Sequence, residues 1–166
     1  MTTDTTDHTR EPMTNPTSPP DRYEAPGAFA AKVFNPVVAW LTRRGVSLLG
    51  SRVLEVRGRS SGEWRSVPVN LLTLEGEDFL VAPRGTTQWV RNLRVAGEGR
   101  LRVGRRVADF VAEEVGDDDK PAVLRRYLQR WKWEVGAFFD GVGPEATDDE
   151  LRAISPNYPV FRVTAR

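Results

Sequence analysis

Alternating apolar and polar residues after position 50 predict a series of β-strands. In the longest of them, residues 66–74, the side chains of Val67, Val69, Leu71 and Thr73 fall on one face, which is the period of a strand with one buried side. The predicted strands, in chain order, cover residues 52–56, 66–74, 78–82, 100–103, 107–114 and 160–164. Short polar turns between successive strands indicate an antiparallel sheet.

Helical spacing of apolar residues predicts helices that interrupt the strands. Residues 87–96 form a short helix, and residues 120–133 form a longer one. Thr147-Asp148-Asp149-Glu150 has the form of a capping box and predicts a last helix ending at Ile154. The acidic residues 117–119 suit the positive end of the long helix, so we interpret them as capping residues rather than metal ligands. The pattern predicts a mainly β fold with added helices (α+β), either a barrel or a sandwich.

The beginning of the chain has a different composition. Residues 1–26 are polar and rich in proline, which predicts a disordered arm before one domain covering residues 27–166. Asn35-Pro36 has the form of a helix start, and Gly45 ends this short helix. Its apolar side is expected to pack on the sheet; the alternative is weak contact of region 36–49 with a membrane surface.

Composition excludes several classes of chemistry from the folded part. The chain has no cysteine, and its single histidine, His8, lies in the predicted arm. Disulfides, cysteine nucleophiles, histidine-dependent triads and ordinary zinc sites are therefore not expected, and difficult chemistry requires a cofactor. Absence of cysteine and of a secretory signal pattern fits a cytoplasmic protein. The formal net charge of +1 gives no reason to expect binding to nucleic acid.

Two neighbouring segments offer hydrogen-bond donors for an anionic ligand. The first, Arg57 to Val69, contains a turn between two glycines in which Arg59, Ser60, Ser61 and Arg65 supply side-chain donors. Such a turn suits phosphates or carboxylates, although it is also an ordinary hairpin connection. The second segment, from Ala82 to Leu93, contains Arg84-Gly85 and then Trp89-Val90-Arg91-Asn92-Leu93.

Together these segments resemble the deazaflavin-dependent nitroreductase and quinone-reductase family of actinobacteria. In that family a Gly-Arg-basic-Ser-Gly segment, then Arg and Pro, precedes a basic-Gly turn and a Trp-x-x-Asn-Leu helix. The matching residues are Gly58, Arg59, Ser61, Gly62, Arg65 and Pro68, followed by Arg84, Gly85, Trp89, Asn92 and Leu93. The similarity covers residues 34–163 and implies a split β-barrel of the FMN-binding-like type. Ser60 departs from the family's basic residue, and the loop 85–89 is shorter than usual.

The resemblance also implies a cofactor, coenzyme F(420), and its binding residues. Those residues are Arg59, Ser60, Ser61, Arg65, Arg84, Gly85, Trp89 and Asn92. The arginines would hold the acidic tail of the deazaflavin, while Trp89 and Asn92 would position the adjoining helix. For the substrate pocket we expect Trp133, Phe138 and Phe139, which favour a flat, apolar small-molecule acceptor. Trp131 is expected in the core instead.

The expected function is hydride transfer from reduced F(420) to a quinone, nitroaromatic or activated alkene. No catalytic side chain is identified; Tyr158, Glu134 and solvent remain alternatives as the proton donor. One alternative is a split-barrel reductase that uses FMN or FAD, with FMN favoured less than the deazaflavin. Another is a carrier or sensor that binds a tailed cofactor, haem or lipid-like ligand without turnover. The sequence indicates neither the oligomeric state nor the natural acceptor.

Overall fold

A six-stranded antiparallel barrel forms the body of the protein in the computed structural model, which describes residues 51–166. The strands are β1 (Ser51–Arg57), β2 (Trp64–Leu74), β3 (Glu77–Val81), β4 (Glu98–Val103), β5 (Arg106–Glu114) and β6 (Val160–Ala165). Their order around the barrel is β1-β2-β3-β6-β5-β4, and β4 pairs back to β1 to close it. All six predicted strands are confirmed. The predicted arm, the helix at residues 35–45 and region 36–49 lie outside the described residues.

Within residues 51–166, three α-helices lie at the positions that the sequence predicts. They are α1 (Gln88–Ala96), α2 (Lys120–Val135) and α3 (Asp148–Ile154). Thr147 and Glu150 form the predicted capping box at the start of α3. The acidic run behaves differently from the prediction: it forms its own 3-10 turn, and Asp119 at the N-cap of α2 makes no side-chain capping bond. None of the helices within residues 51–166 is long and apolar enough to cross a membrane.

Two apolar clusters hold these elements together. The first fills the barrel, where Leu54 and Val56 of β1 lie in one cluster with Phe110. Val90 and Leu93 of α1 belong to the same cluster and cover it. In the second, the outer faces of β2, β3 and β6 pack against α2 and α3; its members include Leu72, Phe79, Val160, Leu124, Leu128 and Trp131. Burial of apolar surface on both sides of the strands explains why α1 covers the barrel interior while α2 lies outside.

Closure by β4 against β1 distinguishes this barrel from a sandwich. The pairs Val53 with Arg102, Leu54 with Leu101, and Glu55 with Arg100 join the two strands. Alternation along a strand cannot reveal this pairing, because both architectures require the same period of two. The split β-barrel implied by the family resemblance is confirmed.

Gly99 permits the close approach of β4 to its neighbours. A Cβ at this position would lie 2.8 Å from Phe110 Cζ and 2.9 Å from the Glu55 carbonyl oxygen. Gly99→Ala is therefore expected to lower the free energy of unfolding by about 1–3 kcal/mol through overpacking. Urea denaturation measures the change. Gly116→Ala is the control, because there the nearest atom to a new Cβ is 3.8 Å away; an equal loss in both variants would contradict the overpacking argument.

Candidate functional site

The turn between β1 and β2 adopts a compact, glycine-dependent conformation. The Gly58 N–H donates to the Glu63 carbonyl and the Gly62 N–H donates to the Gly58 carbonyl, each at 2.8 Å. Gly62 has a φ of 69°, a value that favours glycine. At Gly58 a Cβ would lie 2.7 Å from Ser61 Oγ, so a larger residue would displace that side chain. The geometry of the turn therefore favours glycine at position 62, whereas a Cβ at position 58 would require a shift of the Ser61 side chain.

Arg59 fastens this turn to α1. Its backbone N–H donates to Asn92 Oδ1 at 3.2 Å, and its Nη1 donates to Asn92 Oδ1 at 3.0 Å and to Gln88 Oε1 at 2.9 Å. Gln88 and Asn92 are one turn apart on the same side of α1. Asn92 is only 6% exposed, and these bonds satisfy its buried oxygen. Gln88 belongs to neither of the two matched motifs, so the sequence did not indicate its role.

Arg57 supports the same turn from the outer face of the barrel. Its Nη1 donates to the Gly62 carbonyl at 3.0 Å, and its guanidinium lies 4.1 Å from the centre of the Trp64 ring. The Arg100 guanidinium lies 4.2 Å from the same ring. The cation–π contact and the hydrogen bond thus give Arg57 a structural role.

Arg65 has a different environment from Arg57 and Arg59. It pairs with Val56 across the hairpin, and paired residues share a face, so Arg65 lies on the side of the sheet that α1 covers. A Cβ at Gly58 would lie 3.7 Å from Arg65 Cγ, which locates the side chain beside the turn. Arg65 is exposed and forms no hydrogen bond or ion pair with any residue in 51–166.

Neither glutamate that might neutralise Arg65 does so. Arg102 binds Glu55 with two hydrogen bonds, at 3.0 and 3.3 Å, and this carboxylate raises the pKa of Arg102. Glu63 is exposed at the end of the turn and forms no ion pair with residues 51–166. Within residues 51–166, therefore, no partner competes with an external anion for Arg65.

The second segment leads from β3 into α1 through Gly85, which is buried and has a φ of 72°. The Thr87 N–H donates to the Gly85 carbonyl at 2.8 Å, and Thr87 is the N-cap residue of α1. Its hydroxyl is buried but has no hydrogen-bond partner in the described part of the chain. Since buried hydroxyls are normally paired, Thr87 Oγ1 marks a place where a ligand atom would complete the hydrogen bonding.

The residues of the turn and of the α1 start together fit a ligand with several negative charges. The backbone N–H groups of Ser60 and Ser61 have no partner within the described chain, and successive free amides form a concave anion site. Gln88, the residue after Thr87, binds Arg59, which ties the turn to the start of α1. The donor set of arginine, amides and hydroxyl matches the acidic tail expected of the implied deazaflavin.

Of the predicted aromatic residues, two are accessible and one is not. Trp133 is 70% exposed in the last turn of α2. Phe138 is partly buried, and the Arg84 guanidinium lies 5.7 Å from the centre of its ring. Phe139 is fully buried and stacks on Tyr158, with ring centres 4.3 Å apart. Because its surface is already occupied by the core, Phe139 does not form a pocket wall in this structure.

The other predicted residues contribute to packing. Trp89 lies against Phe161 of the barrel interior, at 5.9 Å between ring centres. Trp131 is completely buried, as predicted. A hollow of about 420 Å³ on the outside of β1, β2 and β4 is lined by the Glu55–Arg102 pair, Val53 and Pro68. It contains none of the predicted site residues.

The two side chains considered as proton donors differ in availability. The Tyr158 hydroxyl donates to the Phe138 carbonyl at 2.6 Å, and its residue is 1% exposed. Glu134 is exposed and accepts a hydrogen bond from Asn70 Nδ2 at 3.2 Å. Burial of the Tyr127 hydroxyl raises the pKa of Tyr127, and the negative charge of Glu134 raises it further. Glu134 is therefore the more accessible of the two predicted donors.

The closed barrel, the glycine-bracketed turn and α1 define the class of protein. It is a split-barrel protein of the FMN-binding-like type. A model of the F420H(2)-dependent quinone reductase family matches residues 40–135, which is more than half of the chain. The protein belongs to the F420H(2)-dependent quinone reductase family. The family resemblance inferred from the glycine-bracketed turn and the Trp-x-x-Asn-Leu helix is thereby confirmed.

The solved structures to which the chain is similar are distant in sequence. An F420-H2 dependent reductase (FDR-A) is 16% identical, with a TM-score of 0.50 over 69% of this chain and 94% of its own. A domain-swapped dimer is also 16% identical, with a TM-score of 0.52 over 78% and 95%. General Stress Protein 26 from Bacillus anthracis str. Sterne is 12% identical, with a TM-score of 0.48 over 78% and 88%. No curated protein matched the sequence.

Proposed function

We propose that the protein reduces a quinone, a nitroaromatic or an activated alkene with reduced coenzyme F(420). The observation that carries this proposal is a set of donors near α1 that have no partner among residues 51–166: Arg65, the Ser60 and Ser61 amides, and the Thr87 hydroxyl. Membership of the F420H(2)-dependent quinone reductase family supports it. The deazaflavin, when bound, supplies the hydride, so no side-chain nucleophile is required.

The chain's own residues would bind and orient the cofactor. Arg65 would pair with the acidic tail, and the backbone N–H groups of Ser60 and Ser61 would donate to further anionic oxygens. Arg84 would extend the basic surface from the other side of Thr87. Each charge-assisted contact contributes about 1.5–3 kcal/mol, so two or three of them would decide affinity for the tail.

The acceptor would lie against aromatic side chains at the end of α2. Trp133 offers an exposed indole, and Phe138 lies under Arg84, which links the proposed tail site to the proposed acceptor site. Flat, apolar rings favour a flat, apolar acceptor. Glu134, next to Trp133 in sequence, is the proposed proton donor, and its orientation is fixed by Asn70.

A titration of the protein with two forms of the deazaflavin tests this function. The form with its glutamyl tail should bind more tightly than a tail-less analogue, and raised salt should narrow the difference because it screens the arginines. Fluorescence of the deazaflavin reports binding. Oxidation of the reduced cofactor on anaerobic addition of menadione reports turnover.

The alternatives predict different results from the same experiment. Equal affinity for the two forms at low salt would remove the tail site, and preferential binding of FMN would favour a flavin reductase. Tight binding of the tailed form without oxidation by menadione, nitroaromatics or activated alkenes would indicate a carrier or sensor instead of an enzyme.

A further inference from the structure

The geometry points to Gln88 as a positioning residue for the cofactor site; this inference rests on the proposed function. We propose that Gln88, with Asn92, holds Arg59 and so fixes the 58–63 turn against α1. Gln88 and Asn92 place two amide oxygens on one side of α1, and Arg59 Nη1 donates to both, at 2.9 and 3.0 Å. Through Nη1, Arg59 thus acts on the position of the turn.

The arginines in and beside the turn differ in whether other residues already bind their guanidinium groups. Arg57 is held by the Gly62 carbonyl and by Trp64, and Arg59 is held by three hydrogen bonds to α1 side chains. Both side-chain bonds of Arg59 use Nη1, so this end of the guanidinium is held against α1. Arg65 forms no such bonds with the residues that the structure describes.

Fixing the turn would pre-organise the groups that do bind. The Gly58–Glu63 and Gly62–Gly58 hydrogen bonds set the internal shape of the turn. Among the described residues, the hydrogen bonds that tie the turn to α1 are those of Arg59. Without them the Ser60 and Ser61 amides would lose their fixed relation to Thr87. Cofactor binding would then include the conformational entropy lost when the turn becomes ordered. Pre-organisation of the turn removes this cost.

Gln88→Leu tests the inference because it removes one acceptor without touching the turn. We expect the Arg59 and Gly62 amides of the cofactor-free protein to exchange hydrogen faster, and affinity for the tailed deazaflavin to fall roughly tenfold. Affinity for the tail-less form should stay unchanged, since a merely structural defect would lower both. Gln88→Glu retains the acceptor and should restore slow exchange.

Gln129→Leu is the matched control, because Gln129 is also an exposed helical glutamine that accepts a hydrogen bond from an arginine, Arg126. It should change neither exchange in the turn nor affinity. Unchanged exchange in Gln88→Leu would overturn the positioning role, whatever the ligand. If the wild-type protein shows no preference for the tail, the proposed function fails, while the exchange experiment still decides whether Gln88 fixes the turn.

Discussion

Arg65→Ala is expected to weaken binding of the tailed deazaflavin roughly ten- to hundredfold. The reason is that Arg65 lies beside the turn and its guanidinium binds no other residue within 51–166. A lost charge-assisted contact corresponds to about 1.5–3 kcal/mol. The free energy of unfolding of the cofactor-free protein should change by no more than about 0.5 kcal/mol, as for other surface substitutions. Fluorescence titration and urea denaturation measure the two quantities.

Two further variants make this result specific to the position. Arg65→Lys keeps the charge but not the forked geometry and should restore part of the affinity. Arg105→Ala removes an equally exposed arginine from the hairpin between β4 and β5 and should leave affinity unchanged. A large loss of stability in Arg65→Ala with normal cofactor affinity would assign this residue to the scaffold.

Trp131→Ala is expected to destabilise the fold by about 3–5 kcal/mol. The indole is fully buried between α2 and the barrel and lies 4.8 Å from the Tyr127 ring, measured between ring centres. Truncation of so large a side chain leaves a cavity that its neighbours fill only in part. Urea denaturation should show a lower midpoint at an unchanged slope.

Trp133→Ala is the natural comparison, two positions further along the same helix. Because its side chain is 70% exposed, the free energy of unfolding should change by no more than about 0.5 kcal/mol. A rise in KM for the acceptor would support its proposed place in the pocket. Equal destabilisation by the two substitutions would contradict the assignment of Trp131 to the core.

Residue patterns were sufficient for the elements of the fold but not for the closure of the barrel. The period of two in β2 and the capping box at Thr147 are local features, and the structure has both. Pairing of β1 with β4 joins residues far apart in sequence, and no local pattern encodes it. The family resemblance supplied that information. The acidic run was misread because its 3-10 turn depends on local geometry that composition does not specify.

The candidate site was only partly predictable for a related reason. The glycine-bracketed turn could be located, yet Arg57, Arg59 and Arg65 are equivalent as sequence letters. Their roles differ because of partners that the fold supplies, such as Gln88 at a separation of 29 residues from Arg59. Phe138 and Phe139 are adjacent, and α2 leaves regular helical geometry at Trp131, where φ is −129°. Helical spacing therefore could not tell which phenylalanine is buried.

The position of β6 in the barrel has a consequence for how the protein is made. β6 lies between β3 and β5 and pairs with both, although about 80 residues separate it from β3. A nascent chain that has emerged from the ribosome only as far as α3 carries two unpaired strand edges, one on each side of the gap. Such edges are templates for association with other chains, so the interval before β6 emerges is the period in which synthesis exposes this protein to aggregation.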